Sequence, residues 1–350
     1  MKFIFLFVLL AMSFVSLSQI TDPRAESKKC YDETPKQQRG YSQWECGKLA
    51  GVIDCNEELT YDEANDLVIR QPKDMTNLQG AGKPFTGTCE MCYMNGKLQR
   101  RVNFVNGKEN GLDSTKYMSG CLQVVRNHIQ GVPSGTWEYY YDSTGQQAWE
   151  MNYYLGEKHG KHIFFEADGD TTLWEVYENG KLHGTKRAYY DDSKIHKEID
   201  YKFGLFDGYF KVYNPDGIII EDLKYKAGKK DGEAKYYYDD GTLLRTESWT
   251  IGVPTGAFKT FFYNGDVQVS ENYDKKGRKE GTWEEYYPGN MQKRKAIYEK
   301  DILIEEHKYD EHGRETYSFG APTGDQNEDD AMPSVDGKKK KKDKKKKKEK

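Results

Sequence analysis

The stretch YENGKLHG, Tyr177 to Gly184, returns in altered form along most of this chain. FVNGKENG starts at Phe104, HIQGVPSG at His128, YYLGEKHG at Tyr153 and YKFGLFDG at Tyr201. YKAGKKDG follows at Tyr225, WTIGVPTG at Trp249 and YDKKGRKEG at Tyr273. Taking the second glycine of each phrase as origin gives Gly87, Gly111, Gly135, Gly160, Gly184, Gly208, Gly232, Gly256 and Gly281, in steps of 24 or 25 residues. A fixed period over nine units means one array rather than a set of independent domains.

The columns of the array have recurring residue types. Five residues after the origin (+5) stand Tyr140, Phe165, Tyr189, Tyr213, Tyr237, Phe261 and Tyr286. Nine or ten residues after it comes another turn glycine, such as Gly217 or Gly241. At +17 stand Phe104, His128, Tyr177, Tyr201, Tyr225, Trp249, Tyr273 and Tyr298. Short runs rich in Tyr, Phe, Trp, Val and Ile favour strands. Asn-Gly and Asp-Gly pairs, as in ENGK, DDGT and YNGD, accept the positive φ of tight hairpin turns. Each unit therefore reads as one β-hairpin, with glycines turning the chain and aromatic rings packing one hairpin on the next.

This makes the expected fold all-β: an elongated antiparallel sheet of about nine 24-residue hairpins over residues 85–310. The chain opens with Lys2, an apolar run from Phe3 to about Leu17 and a small-x-small step at Ser16–Ser18. That is the layout of a secretory signal peptide over residues 1–18. Residues 19–84 lack the repeat register and read as a small cap. Thr60 with Glu63 forms a capping-box signature there, which predicts one short helix in TYDEANDLVIRQ.

Cys30, Cys46, Cys55, Cys89, Cys92 and Cys121 all lie in the first third of the chain. An even number in an exported chain points to disulfides that tie down the cap. Six cysteines allow 15 pairings. The expected bridges are Cys46 to Cys55, and Cys121 to either Cys89 or Cys92. A redox dithiol or half a zinc site at CEMC, Cys89 to Cys92, is the alternative.

The chain has 53 basic and 57 acidic residues. Residues 338–350 alone hold eleven Lys against one Asp and one Glu, a net of +9 that leaves −13 for the rest. Residues 311–350, acidic and then lysine-rich, cannot bury apolar area and are expected to form a disordered tail. Such a tail suits contact with an anionic surface.

The units, YENGKLHGTKRAYYDDSKI for example, resemble MORN repeats, and the NGKxxG wording is most similar to the MORN-variant repeats of bacterial proteins, many of them antitoxin-like. The resemblance covers about residues 85–300. It implies elongated antiparallel β structure and a binding, scaffolding or membrane-associated role, and no one chemistry. The signal peptide departs from a cytoplasmic antitoxin.

Enzyme motifs are scarce. The sequence has no G-x-S-x-G elbow, Walker loop or H-E-x-x-H. His159 and His183 share one turn position in adjacent units, and Asp207, Asp231 and Glu280 occupy the same column. Exposed turns commonly carry such groups without a ligand. No catalytic residue, cofactor, metal or small-molecule substrate is expected. The sequence points to an exported, periplasmic or surface-located array that binds a protein or polysaccharide of the cell envelope. The +5 column, Tyr140 to Tyr286, is the candidate aromatic binding ladder. An antitoxin-like module that neutralises another protein is the alternative, followed by a thiol-redox protein using Cys89 and Cys92.

Overall fold

The computed structural model describes residues 22–24, 46, 51–71 and 82–320. The signal peptide, much of the front segment and the tail beyond residue 320 lie outside the described residues.

Among the described residues the repeats form 25 strands of one continuous sheet, to which Ile53–Asp54 adds a twenty-sixth. The array starts at Gly87–Cys92 and meanders, each strand antiparallel to the last, to Glu315–Phe319. Gly184–Tyr189 shows the pattern. It pairs with Ile195–Lys202, with Gly184 opposite Tyr201, and the chain then turns into Leu205–Tyr213. Two residues make that turn, Phe203 with φ 50° and Gly204 with φ 84°. Consecutive positive φ angles give the turn the twist its flanking strands need. The Gly204 amide donates to Leu182 O at 2.8 Å, and the Gly228 amide to Phe206 O at 2.8 Å. Each hairpin turn is thus bonded to the unit before it, and the turns line one long edge of the sheet.

The second glycine of each phrase does something different from what the sequence suggests. It does not turn the chain. Gly208 lies inside Leu205–Tyr213 at φ 123°, where the register slips and Asp200 alone spans the gap between the Ile199–Phe210 and Tyr201–Phe206 pairs. It is a bulge, and the positive φ explains the residue type.

Buried residues form a narrow stripe instead of a layered core. The pairs Phe210–Leu223 and Trp283–Ala296 on this stripe are buried or nearly so. A compact apolar cluster sits at the front, where Cys55, Leu59, Phe85, Cys89, Val102 and Phe104 pack together.

At the front, Ile53–Asp54 pairs in parallel with Gly87–Cys92, Ile53 opposite Cys89. This closes the edge of the sheet and sets the disulfides. Cys55 bonds Cys89 and Cys46 bonds Cys92, with Cα atoms 5.1 and 5.8 Å apart. The expected Cys46–Cys55 bridge is therefore wrong. So is a bridge from Cys121 to Cys89 or Cys92, although Cys121 is itself disulfide-bonded. Strand pairing, invisible in cysteine spacing, brings Cys55 over Cys89. Cys30 lies outside the described residues. The CEMC dithiol reading falls as well, because its two sulfurs bond different partners.

The helix expected from Thr60 and Glu63 is not there. Leu59–Asp62 pairs with Leu67–Arg70 as a hairpin. Asp62 accepts from the Ala64 amide at 3.1 Å and the Asn65 side chain at 2.7 Å, a turn that competes with helix. A single helical turn precedes it, Cys55–Glu58, capped by Asp54, which accepts from the Asn56 and Glu57 amides. At the other end Glu315–Phe319 adds a strand to Ile302–Tyr309. Residues 311–319, expected to belong to the tail, thus continue the sheet, because the Asp310 side chain caps a turn by accepting from the amides of His312 and Arg314.

Candidate functional site

Pairing assigns the columns to faces. Gly160 lies opposite Tyr177 and His162 opposite Glu175, so +2, +15 and +17 share one face, while +3 and +14 lie on the other.

The first face carries a chain of rings. His128, Trp137, Tyr153, His162 and Tyr177 follow one another at centroid distances of 4.6–5.8 Å. A second run joins Trp249, Phe258, Tyr273, Trp283 and Tyr298 at 4.9–5.5 Å. Charged groups fill the gaps. Lys186 Nζ is 2.7 Å from Glu175, which also accepts from the Tyr177 hydroxyl at 2.9 Å. Burial works to raise the Glu175 pKa, but these hydrogen bonds outweigh it and hold it below the usual range. Burial and Glu175 push the Tyr177 phenol up to about 12. Lys230 reaches Glu247 at 3.2 Å and lies 4.9 Å from the Trp249 ring. This face is closed on itself.

The expected ladder lies on the second face. Tyr140, Phe165, Tyr189, Tyr213, Tyr237, Phe261 and Tyr286 all stand at one structural position, directly after a bulge, and all are half-buried. Among the described residues none of these seven rings packs on another ring, and Arg24 pairs with Glu138 beside Tyr140. Carboxylates of their own face orient some of them. Tyr140 donates to Glu138 at 3.0 Å and Tyr213 to Glu198 at 2.9 Å. Burial, then Glu198, raises the Tyr213 phenol to about 12. Burial raises Tyr237 and, with help from Glu284, Tyr286. Tyr140, Tyr213 and Tyr286 thus spend their one O–H on carboxylates of the same face.

Sequence reasoning missed the neighbouring column at +6. Tyr93, Tyr117, Tyr141, Tyr190, Tyr238 and Tyr287 each donate to a backbone carbonyl one unit on: Lys116, Tyr140, Phe165, Tyr213, Phe261 and Tyr309. Asn214 does the same toward Asp239 O. The recurrence of Tyr at this offset was the available signal. It explains the doubled and tripled tyrosines: one ring stays available while its neighbour ties two units together.

A second feature sits at the front. A cavity of about 510 Å³ opens between the Leu59–Arg70 hairpin and the first turns, lined by Leu59, Val68, Met91, Phe104, Arg100 and Glu109. Beside it Glu109, Asp113 and His128 each place a ligand atom within 4.8 Å of the others. Arg100 holds Asp113 through Nε and a terminal nitrogen at 2.9 and 2.8 Å, and Arg126 holds it at 2.6 Å. Two guanidinium groups on the central carboxylate make this an ion network, hostile to a divalent cation. Burial lowers the His128 pKa and keeps the ring neutral.

The turn histidines do not converge. His159 packs on Tyr154, while His183 packs on Phe203 with Nδ1 3.0 Å from Glu178. The acidic column is occupied too. Asp207 accepts from the Ala227 amide, Asp231 from the Ile251 amide and Glu280 from the Lys300 amide, at 2.9–3.0 Å.

Residues 182–203 and 230–250 match the MORN repeat variant family. No curated protein sequence matches the chain. Among solved structures, the chain is similar to the crystal structure of TcdB2-TccC3, at 12% identity and a TM-score of 0.14, over 74% of this chain and 17% of that one. It is also similar to a Photorhabdus luminescens Tc holotoxin pore, at 13% identity and a TM-score of 0.13, over 74% and 16%. The chain spans less than a fifth of the length of either. No helix among the described residues is long and apolar enough to cross a membrane.

Proposed function

We propose that the protein is an exported, non-catalytic array that binds or scaffolds at the bacterial cell envelope, using its long second face. One observation carries this reading. The histidines and carboxylates that the sequence singled out are held in ion pairs, ring contacts and turn caps, whereas the +5 column repeats five Tyr and two Phe, all half-buried, along one face. Tyr with a polar tip beside carboxylates suits stacking on sugar rings or peptide groups. Disulfides at the closed front edge fit an oxidising compartment. The lysine tail beyond residue 337 adds a contact to an anionic surface.

Fractionation with N-terminal sequencing of the mature chain tests export, and retention of purified protein on isolated envelope material tests binding. A chain starting after Ser18 that envelope material retains is the expected result. Replacing Tyr189, Tyr213 and Tyr237 with Ser is expected to lower retention at least tenfold without unfolding the sheet. A cytoplasmic chain with Met1–Ser18 intact would overturn export and favour an antitoxin-like role.

A further inference from the structure

Three hairpin turns carry large apolar residues in a backbone conformation that such residues avoid. Leu155, Phe203 and Ile251 have φ of 50°, 50° and 47°. They are also 74%, 55% and 52% exposed. The left-handed region is disfavoured for any residue with a Cβ and is most unusual for a branched one such as Ile. Asn106 and Asn179 hold the same place in other units, as expected from their tolerance of this conformation. Leu155, Phe203 and Ile251 thus combine backbone strain with exposed apolar surface, and they recur at every second unit. Exposed Leu205 and Ile129 widen the same ridge. Strain and exposed apolar surface together mark a place where a contact uses them.

The charge of the ridge indicates what that contact is. Lys181, Lys202, Lys226 and Lys229 stand exposed between the apolar tips, with no ion pair among the described residues. Of the carboxylates of this edge, Asp207 and Asp231 cap turn amides and Glu178 meets His183, which leaves Glu157, exposed beside Leu155, against the four lysines. What the ridge offers is aliphatic surface with free cations.

The chain itself shows how such a turn is covered. Over the first turn, Asn106-Gly107, lies the Leu59–Arg70 hairpin. Its Val68 amide donates to Gly107 O at 2.8 Å, and Leu67 packs so closely that a Cβ on Gly107 would lie 3.0 Å from its own Cβ. That hairpin is aliphatic at Leu59, Leu67, Val68 and Ile69 and acidic at Asp62, Glu63 and Asp66. The later turns have no such cover among the described residues.

We infer that the open turn ridge from Leu155 to Ile251 docks a partner polypeptide of the same chemistry, an acidic strand or hairpin with aliphatic side chains. The inference rests on the binding-array reading and assigns it a second surface. Main-chain groups at the turns and pockets between the apolar tips would seat the partner, and its carboxylates would meet the lysines.

The test uses the full folded chain and a fluorescent, head-to-tail cyclised peptide LTYDEANDLVIRQ, copied from residues 59–71. The native protein is expected to bind it saturably, less tightly as salt rises. The triple variant Leu155→Asn, Phe203→Asn, Ile251→Asn is expected to bind at least tenfold more weakly yet to melt at or above the native temperature, because strain is released. Lys202→Glu with Lys226→Glu is expected to weaken binding at an unchanged melting temperature. The inference is overturned if the peptide does not bind, if the triple variant binds as well as native, or if it melts lower. Binding to phosphatidylcholine–phosphatidylglycerol vesicles in place of the peptide would also overturn it, in favour of a lipid-facing ridge. Native retention on envelope material without peptide binding would remove the ridge and leave the array reading standing.

Discussion

The Tyr190 hydroxyl donates to the backbone carbonyl of Tyr213, 2.8 Å away and one repeat further along the chain. Both groups are half-buried, so the bond is formed where water competes poorly. Tyr190→Phe keeps the ring and leaves that carbonyl without its partner. The expected loss is about 1 kcal/mol. In a repeat array each unit contacts only its neighbours, so the effect should stay local. Amide exchange is expected to quicken around residues 184–226 and to stay unchanged around 111–135. Tyr238→Phe, two units on, should add its own similar loss. A uniform change along the chain would show that the array unfolds as one block.

His162 supplies a pH dependence. Its ring is fully buried and Nε2 donates to Asn152 O at 2.9 Å. Burial pulls its pKa below the ordinary value, against the smaller upward pull of that bond. The unfolded chain takes up a proton near pH 6.5 that the folded chain resists. The stabilisation is therefore complete above about pH 6.5 and is lost as pH falls toward the folded pKa. His128 acts in the same sense. Denaturant midpoints at pH 7.5 and 5.5 should differ less for His162→Gln than for the native chain; equal differences would refute the assignment.

Glycine at the bulge is tested by two alanines. At Gly208 a Cβ would lie 2.7 Å from the Asp200 Cβ, with φ at 123°. At Gly256 φ is 68° and a Cβ would meet nothing within 4 Å. Gly256→Ala is expected to cost about 1 kcal/mol, the conformational part alone. Gly208→Ala is expected to cost about 3 kcal/mol, because the clash involves a Cβ that cannot swing away. Urea unfolding of the two variants gives the comparison, and equal losses would mean the bulge relaxes.

The Cys55–Cys89 bridge closes a loop of 34 residues. Loop-closure entropy of that size corresponds to about 3–4 kcal/mol. Replacing both cysteines with Ala should expose the front segment to limited proteolysis, with first cuts before residue 87. The β-sheet circular dichroism of the array should persist, since the later hairpins do not depend on the cap. Loss of the whole β signal would show that the front edge nucleates the sheet.

Much of the fold was legible in the residues. Asn179-Gly180 turns a hairpin because both residues accept positive φ, a preference that acts within a few bonds and needs no partner. The period made every such turn visible, and alternation put neighbouring residues on opposite faces, while strand pairing decided which columns of different strands share a face. The capping-box reading of Thr60 failed for a local reason too, since Asp62 had an equally local way to close a turn.

By itself, then, the sequence determined the hairpin, its length, the repetition and the seven +5 positions. Only the tertiary structure decided which aromatic column is spent on packing, which tyrosine ties two units, where Cys55 finds Cys89, and that Leu155, Phe203 and Ile251 stand strained and exposed. Those outcomes depend on what pairing brings alongside from about 24 residues away or, at the front edge, 34. A backbone preference is a property of its own residue, whereas a contact belongs to two, and the second is chosen by strand register.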